Sequence, residues 1–307
     1  MVPEKREHPK EKEGLHPRNL HRNRYDFEEL IRSWPELDRF VAKNKFKDLS
    51  VDFFDPEAVK ALNRALLKHC YGIDYWDIPE GYLCPPVPGR ADYLHYLADL
   101  LAIRNNGKIP KGSQVRCLDV GTGANCIYPL LGNRIYGWSF VGSDIDPEAI
   151  RNASHIVEKN PTLKPTIEIR LQADPNDIFN HLIKPGEYFD LALCNPPFHA
   201  SASEAQAGSQ RKTSHLKRKK NTAPVLNFGG QANELWCPGG EVQFIGKMIA
   251  ESSLYRTSAG WFTVLVATSN HLPGIYHALK IADATEVITI GMSQGSKISR
   301  IVAWRFQ

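Results

Sequence analysis

Short apolar segments alternate with helical segments from Gln114 to the end of this chain. Apolar runs without polar alternation are typical of strands buried on both faces, and strands separated by helices form parallel sheets that those helices cover. We therefore predict an α/β fold, with a Rossmann-like sheet of seven strands and a mostly helical N-terminal extension. The predicted strands lie near 115–120, 138–143, 166–171, 188–194, 261–267, 284–290 and 300–306. Only about ten residues separate the last two strands, too few for a crossover helix, so we expect an antiparallel hairpin there.

The residues before this region follow helical spacing. Asp55-Pro56 supplies an N-cap and a first-turn proline for one helix, and a second is expected over about 91–101, after a proline-rich turn. The first 24 residues lack periodic apolar positions, which predicts a flexible segment. The expected division is a basic flexible tail over 1–24, a helical region over 25–110, and an α/β domain over 111–307 with an inserted loop over 199–236. A polar insertion of that length directly after a strand is typical of a functional or disordered loop.

Basic residues are concentrated in two segments, although the formal net charge of +4 is too small to identify a nucleic-acid binder. The first segment lies within residues 4–24, where glutamates partly offset it, and the second covers 211–220. One such segment is also typical of a solvated loop, but two of them favour contact with phosphates. The predicted contacts in the second segment are Arg211, Lys212, Lys217, Arg218, Lys219 and Lys220.

The cysteines and the apolar runs indicate the compartment. Six cysteines occur without a Cys-x-x-Cys pair, and several lie in apolar runs, which is typical of free thiols in a reducing environment. The charged N-terminus has no apolar leader segment, and no run of eighteen apolar residues occurs. We therefore expect a cytoplasmic protein. The histidines show no metal-ligand spacing with cysteines or carboxylates, so no metal site is expected.

A glycine turn follows the first predicted strand of the α/β region, in Leu118-Asp-Val-Gly-Thr-Gly-Ala-Asn125. Glycines allow the backbone to approach a ligand, and Asp144, at the end of the next strand, is placed to bind ribose hydroxyls. The neighbouring Asp146-Pro147 is a good helix cap, which leaves Asp144 for the ligand. Cys126 stands where a dinucleotide fingerprint needs its third glycine, which disfavours a nicotinamide enzyme. Taken alone, the turn is also compatible with a plain strand-to-helix connection.

The segment Asn195-Pro196-Pro197-Phe198 follows the buried strand at 189–194. An amine that is to be methylated must present its lone pair while its hydrogens are held, and the Asn195 carbonyl and the Pro196 backbone carbonyl are two suitable acceptors. The prolines fix the backbone without adding donors, and Phe198 can stack on a base that has left its helix. A simple turn is the alternative, which the glycine turn some 70 residues earlier disfavours.

The glycine turn and this Asn-Pro-Pro-Phe segment resemble those of class I S-adenosylmethionine-dependent methyltransferases that act on amino groups. Further segments are similar to the bacterial ribosomal large-subunit (23S rRNA) adenine N6-methyltransferase F family, and the resemblance covers nearly the whole chain from residue 14. These segments are Gly14-Leu-His-Pro-Arg18, Ser50-Val-Asp-Phe53, Trp76-Asp-Ile-Pro79, Leu83-Cys-Pro-Pro-Val-Pro-Gly-Arg-Ala-Asp-Tyr93, Gly123-Ala-Asn-Cys-Ile-Tyr-Pro129, Leu226-Asn-Phe-Gly-Gly-Gln231 and Glu234-Leu-Trp-Cys-Pro-Gly-Gly-Glu241.

The resemblance implies S-adenosylmethionine as the cofactor and N6-methylation of one adenine, number 1618 in the usual 23S RNA numbering, as the reaction. The implied partner is 23S RNA or a large-subunit assembly intermediate. We also expect a monomer that uses no membrane and no metal. The implied cofactor contacts are Arg90, Gly121, Gly123, Asn125, Asp144 and Asn195, with Asp174 near the cofactor adenine. The catalytic residues are expected to be Asn195, Pro196, Pro197 and Phe198. Trp236 is expected to contact the substrate as a stacking or lid residue, with core packing as the alternative.

Three other functions remain open at this stage. The same core is found in tryptamine-type small-molecule amine methyltransferases, in adenine N6-methyltransferases of other structured RNAs, and it can persist in a non-catalytic RNA-binding module. The intact segment from Asn195 to Phe198 argues against the non-catalytic module, and the basic segments argue against the small-molecule enzyme.

Overall fold

The computed structural model describes residues 14–44, 46–197, 234, 236–294 and 297–307, the side chains of 294 and 297 excepted. The helices are α1 (Phe27–Ser33), α2 (Pro56–Tyr71), α3 (Val87–Ile103), α4 (Ile127–Tyr136), α5 (Pro147–Lys159), α6 (Gly240–Ser252) and α7 (Leu272–Ile281). The strands are β1 (Val41–Lys43), β2 (Leu49–Val51), β3 (Arg116–Val120), β4 (Ser139–Asp144), β5 (Ile167–Leu171), β6 (Phe189–Cys194), β7 (Ala259–Val266), β8 (Glu286–Gln294) and β9 (Lys297–Arg305).

Strands β3 to β9 form one seven-stranded sheet in the order β5-β4-β3-β6-β7-β9-β8. Neighbours from β5 to β7 are parallel, whereas β9 is antiparallel to both β7 and β8. The predicted α/β class and the terminal hairpin are therefore confirmed. The chain runs from β3 toward β5 on one side and from β6 toward β7 on the other, so the strand order reverses between β3 and β6. Ligands of open α/β sheets bind beyond the carboxyl ends of the strands at such a point.

Buried side chains cover both faces of the sheet. On one face, Tyr93 and Leu97 of α3 pack with Leu131 of α4 and with buried strand residues. On the other face, Phe179 and Met248 pack against Phe262 and Trp304. The N-terminal helices thus form part of the same core, while α1 and α2 share a smaller apolar cluster of their own.

The two predicted helices of the N-terminal region are present as α2 and α3. Asp55 caps α2 by accepting the Glu57 amide at 2.9 Å, and Gly72 ends the helix in the left-handed region at φ 62°. Helix α3 begins at Val87, earlier than predicted, because Pro88 is tolerated in a first helical turn.

Residues 14–24 are packed against α3, which corrects the prediction that all of 1–24 is a flexible tail. The His16 amide donates to the Asp92 carboxylate at 2.7 Å, and Arg18 Nη2 donates to Asp99 at 2.8 Å. His21 is fully buried and contacts the Tyr71 hydroxyl at 2.8 Å. Polar bonds rather than a periodic apolar face hold this segment, so the absence of apolar periodicity was misleading. Residues 1–13 lie outside the described part of the chain.

Within the described residues, no helix combines the length and apolar character needed to cross a membrane. No group of three or more metal-ligating side chains is found in the same ranges. All six cysteines fall within these ranges and are free thiols.

Candidate active site

A cavity of about 590 Å³ opens where β3, β4 and β6 end, and Val120, Asp144 and Cys194 form part of its wall. That volume is in the range of small-molecule and cofactor sites. Most of the residues predicted from the sequence as site residues line this cavity. They are Arg90, Gly121, Gly123, Asn125, Asp144, Asn195, Pro197 and Trp236.

The glycine turn between β3 and α4 forms one side of the cavity. Gly121 and Gly123 both have positive φ, 74° and 63°, and a Cβ on Gly123 would lie 3.2 Å from the Asn125 side-chain nitrogen. The amides of Gly121 and Thr122 donate to the Ser143 carbonyl at 2.9 and 2.8 Å. These bonds fix the turn against the end of β4, so its backbone meets the cavity without intervening side chains.

Asp144 reaches from the end of β4 to the glycine turn. Its Oδ2 accepts the Gly123 amide at 2.9 Å, and its Oδ1 accepts the Asp146 amide at 3.0 Å. Burial raises the pKa of Asp144, and these backbone bonds oppose that rise. Asp146 caps α5 by accepting the Glu148 amide at 2.9 Å, as the sequence predicted, so the two aspartates have separate structural tasks.

Arg90 lies in the first turns of α3 and enters the cavity wall from the side of the N-terminal region. Its Nη1 donates to the Tyr128 hydroxyl at 2.8 Å. Its Nε is buried and finds no acceptor in the described part of the chain. A partly buried guanidinium with an unused donor is suited to a carboxylate ligand, because the planar fork matches carboxylate geometry.

Asp119 lies on β3, directly before the residues of the glycine turn that line the cavity. Burial raises its pKa to about 7, the nearby Thr122 hydroxyl opposes the rise, and the Asp144 carboxylate adds to it. Neither carboxylate oxygen has a hydrogen-bond partner among the residues that the structure describes. Sequence analysis did not select Asp119, although its place before the first glycine was a usable signal.

Asn195 follows the last residue of β6 and is half-buried in the cavity wall. Its Oδ1 is buried and accepts no hydrogen bond from any described residue. An unused buried acceptor is costly unless a ligand supplies the donor. Pro196 is buried beside it and Pro197 lines the cavity, whereas Phe198 lies outside the described residues.

Residues at the end of the predicted insertion, and helix α6 after it, close the cavity from another side. Glu234 Oε2 accepts the Leu83 amide at 2.9 Å, which joins this segment to the turn before α3. Trp236 is half-buried, and its Nε1, itself buried, has no acceptor within the described ranges. Helix α6 adds side chains that sequence analysis missed, because no motif marks them. They are Gln243, Phe244 and Lys247.

Next to β5, the residues that line the cavity are not the one predicted from the sequence, Asp174. Asp174 is exposed and accepts the Asn176 amide at 2.8 Å, so it shapes a turn. Among the described residues, the wall here consists of Gln172 and 175–178 and does not include Asp174. The predicted segment was adjacent, but strand periodicity could not give the register of the loop after β5.

The predicted phosphate contacts from Arg211 to Lys220 lie outside the described residues, as does most of the predicted loop over 199–236. The structure therefore adds nothing to the sequence-based prediction for Arg211, Lys212, Lys217, Arg218, Lys219 and Lys220.

Comparison with known proteins identifies relatives along the whole chain. Residues 9–307 match the sequence model of an RNA methyltransferase family. A ribosomal RNA large subunit methyltransferase F of Serratia proteamaculans is 58% identical over 306 residues, covering 99% of this chain and 91% of that protein. The protein of the same name from Cytophaga hutchinsonii is 55% identical over 303 residues, covering 99% and 94%.

Solved structures share the fold over nearly the same extent. The hMettl16 catalytic domain in complex with MAT2A 3′UTR hairpin 1 is 29% identical, with a TM-score of 0.79 and 96% of each chain covered. The N-terminal domain of human METTL16 in complex with SAH is 27% identical, with a TM-score of 0.74, covering 95% of this chain and 99% of that one.

Proposed function

This chain belongs to the RNA methyltransferase family that its sequence matches, and we propose that it methylates the N6 amine of one adenine in 23S ribosomal RNA. The enzyme is an S-adenosylmethionine-dependent methyltransferase. The adenine is proposed to be number 1618 in the usual 23S numbering, in keeping with the resemblance to the methyltransferase F family.

The unused Oδ1 of Asn195 is the observation that carries this proposal. It lies at the end of β6 in the wall of the same cavity as Arg90 and Asp144. An exocyclic amine has two N–H donors, and Asn195 Oδ1 with the Pro196 carbonyl are two acceptors at adjacent positions. Holding both hydrogens in this way directs the nitrogen lone pair out of the acceptor plane.

The residues around the cavity fit the cofactor. The buried Nε of Arg90 is a donor suited to the carboxylate of its methionine part, and Asp144 is an acceptor suited to ribose hydroxyls. The turn at Gly121 and Gly123 allows the close approach of a ligand. When bound, the cofactor supplies an electrophilic methyl group on a sulfonium.

The protein contributes mainly positioning and electrostatics. Asn195 and the Pro196 carbonyl orient the amine, and Phe198 is proposed to stack on the displaced base. No strong general base is needed, because alkylation acidifies the amine proton, which can then pass to water. Trp236, as part of the cavity wall, is proposed to contact the same base.

The finer statements about partners are also proposals. The segment from Arg211 to Lys220 is proposed to contact RNA phosphates, which its charge supports. The substrate is proposed to be 23S RNA or a large-subunit assembly intermediate, bound in the cytoplasm by a monomer.

A tritium-transfer assay tests the function directly. Labelled S-adenosylmethionine is supplied with naked 23S RNA, assembled large subunits, an unrelated structured RNA, or a tryptamine-type amine. We expect label on one adenine of 23S RNA, recovered as N6-methyladenosine after digestion. Label on the small amine or on the unrelated RNA alone would overturn the proposal in favour of that substrate class.

A further inference from the structure

Tyr93 contacts the residue before Asn195 and does not belong to the cavity wall as the described residues form it. Tyr93 is fully buried on α3, three residues after Arg90. Its hydroxyl is 3.0 Å from Thr263 Oγ1 and donates at 3.5 Å to the carbonyl oxygen of Cys194. Cys194 immediately precedes Asn195, so the bond reaches the peptide that leads into the proposed amine clamp.

Thr263 completes this contact from the neighbouring strand. It pairs with Leu193 in the parallel register of β6 and β7, and is itself fully buried. Its Oγ1 also lies 3.1 Å from the Ala192 carbonyl oxygen, which is an alternative acceptor for the Thr263 proton. Each hydroxyl has one proton, so when Tyr93 donates to the Cys194 carbonyl, Thr263 is the donor in the 3.0 Å pair and holds the Tyr93 oxygen in place.

Tyr93 is connected to the other end of the cavity through Tyr128. The two rings pack edge to face, with centroids 5.5 Å apart, and the Tyr128 hydroxyl accepts Arg90 Nη1 at 2.8 Å. Arg90 and Tyr93 are also neighbours on one face of α3, because residues three apart lie one above the other on a helix. The proposed cofactor contact and the proposed amine clamp are thus joined by buried, directional contacts.

We infer that Tyr93 is a positioning residue for Asn195, and that its hydroxyl acts together with Thr263. The bond to the Cys194 carbonyl orients the peptide between Cys194 and Asn195, and this orientation sets where the Asn195 side chain lies. Pro196 has no N–H and cannot fix the turn from the other side with a donor of its own. This inference rests on the proposed function only in taking Asn195 as the amine clamp.

The hydroxyl is available as a donor at every pH at which the protein is expected to work. Burial raises the pKa of Tyr93 well above its ordinary value, and that of Tyr128 to about 12. The contact therefore does not titrate near neutrality, and the variants below remove it by truncation alone.

Tyr93→Phe removes the contact to Cys194, Thr263→Val removes the neighbouring hydroxyl that holds the Tyr93 oxygen, and Thr263→Ser keeps that hydroxyl as a conservative rescue. A matched control is Tyr276→Phe, because the Tyr276 hydroxyl is 2.8 Å from Thr289 Oγ1 in an exposed pair of the same chemistry. Each is made in the full chain and its folding is checked by thermal melting.

Single-turnover methylation at saturating cofactor gives the first readout. We expect Tyr93→Phe and Thr263→Val to slow methyl transfer about 10-fold to 100-fold, the rate loss that misplacement of a reacting group causes. Cofactor affinity should stay within about twofold of the wild-type value. Thr263→Ser and Tyr276→Phe should stay near the wild-type rate. In an Asn195→Ala background, Tyr93→Phe should cost less than about a further twofold, because the residue acts through Asn195. An equal loss in both backgrounds would overturn the inference.

A spectroscopic readout does not depend on the substrate. In protein labelled with nitrogen-15 at asparagine, the Asn195 side-chain amide signal is identified by its absence from the Asn195→Ala variant. We expect Tyr93→Phe and Thr263→Val to move that signal and Tyr276→Phe to leave it in place. If wild-type protein does not methylate 23S RNA, the proposed function fails, yet the signal still decides the inference, and an unmoved signal would overturn it.

Discussion

The Gly123 amide donates to Asp144 Oδ2 at 2.9 Å, so the carboxylate at the end of β4 is bonded to the glycine turn after β3. One side chain therefore joins the two strand ends that frame the cavity. A ligand that contacts Asp144 therefore also contacts the backbone of the turn. This is expected for a nucleoside whose ribose and adjoining group bind next to each other.

Replacing Asp144 by alanine should weaken S-adenosylmethionine binding by about 1–3 kcal/mol, the scale for losing hydrogen bonds to a charged group. Asp146→Ala is the matched control, because it removes the cap of α5 and should lower stability by about 0.5–2 kcal/mol with little effect on affinity. Titration calorimetry measures the affinity, and thermal melting measures the stability. Unchanged affinity in Asp144→Ala would remove that carboxylate from the cofactor site.

Replacing Asn195 by alanine should reduce turnover about 100-fold or more, because one lost orienting interaction at a transition state is commonly worth that much. Phe198→Ala should mainly weaken engagement of the base, by about 1–3 kcal/mol. The two losses should not add fully, since both residues hold one base in one pose. Single-turnover methylation of a large-subunit RNA fragment, with cofactor saturating, separates the effects. A near-normal rate in a folded Asn195→Ala variant would contradict the proposed amine clamp.

The fold was predictable because its signals are local and repeated. Buried parallel strands are continuous apolar runs, and both Asp55-Pro56 and Asp146-Pro147 mark helix starts that the structure confirms. The short connection between β8 and β9 also predicted the hairpin correctly.

Features that depend on contacts distant in sequence were not predictable. The segment at 14–24 is held by Asp92 and Asp99, more than seventy residues away, and no periodicity reports such bonds. The register after β5 depends on the conformation of a loop. The sequence therefore places the cofactor contact at Asp174, whereas 175–178 line the cavity. Most of the site residues predicted from motifs line the cavity, and their roles remain predictions.

Neutralising the four basic residues at 217–220 should weaken RNA binding and flatten its dependence on salt, because fewer counterions are released. Cofactor affinity should not change. A control with equal charge removal uses exposed lysines elsewhere on the surface, Lys108, Lys159, Lys164 and Lys280. RNA affinity is measured across a salt series. Equal slopes for the 217–220 variant and the wild type would identify the segment as a solvated loop.

Asp119 should make stability depend on pH, because its pKa is about 7 in the folded protein and about 4 in an unfolded chain. As pH rises from about 4 to 7, the unfolded chain loses this proton first, so wild-type stability falls over that window and then levels off. The free energy of unfolding of Asp119→Asn relative to wild type should therefore rise by on the order of 3 kcal/mol between pH 4 and pH 8. Denaturant unfolding without cofactor measures it, and a constant difference across pH would contradict the prediction.

Glu251 on α6 holds the loop that forms the cavity wall beyond β5. Its carboxylate accepts the amides of Ile178 at 2.9 Å and Phe179 at 2.8 Å, and it is only 8% exposed. Ile178 lines the cavity, so moving this loop moves the wall beside Asp174, the residue that the resemblance places near the cofactor adenine.

Glu251→Gln should therefore weaken cofactor affinity several-fold and lower stability by about 1–3 kcal/mol, because an amide oxygen accepts these bonds more weakly and its NH₂ group meets other donors. Glu241→Gln is a matched control on the same helix, since the Glu241 carboxylate accepts the Ala267 amide at 2.8 Å and contacts His271 Nδ1 at 2.6 Å. Neither Ala267 nor His271 belongs to the cavity wall that the described residues form. The control should lose stability while keeping cofactor affinity. If both variants lose affinity in proportion to their loss of stability, Glu251 supports the fold in general and not this wall in particular.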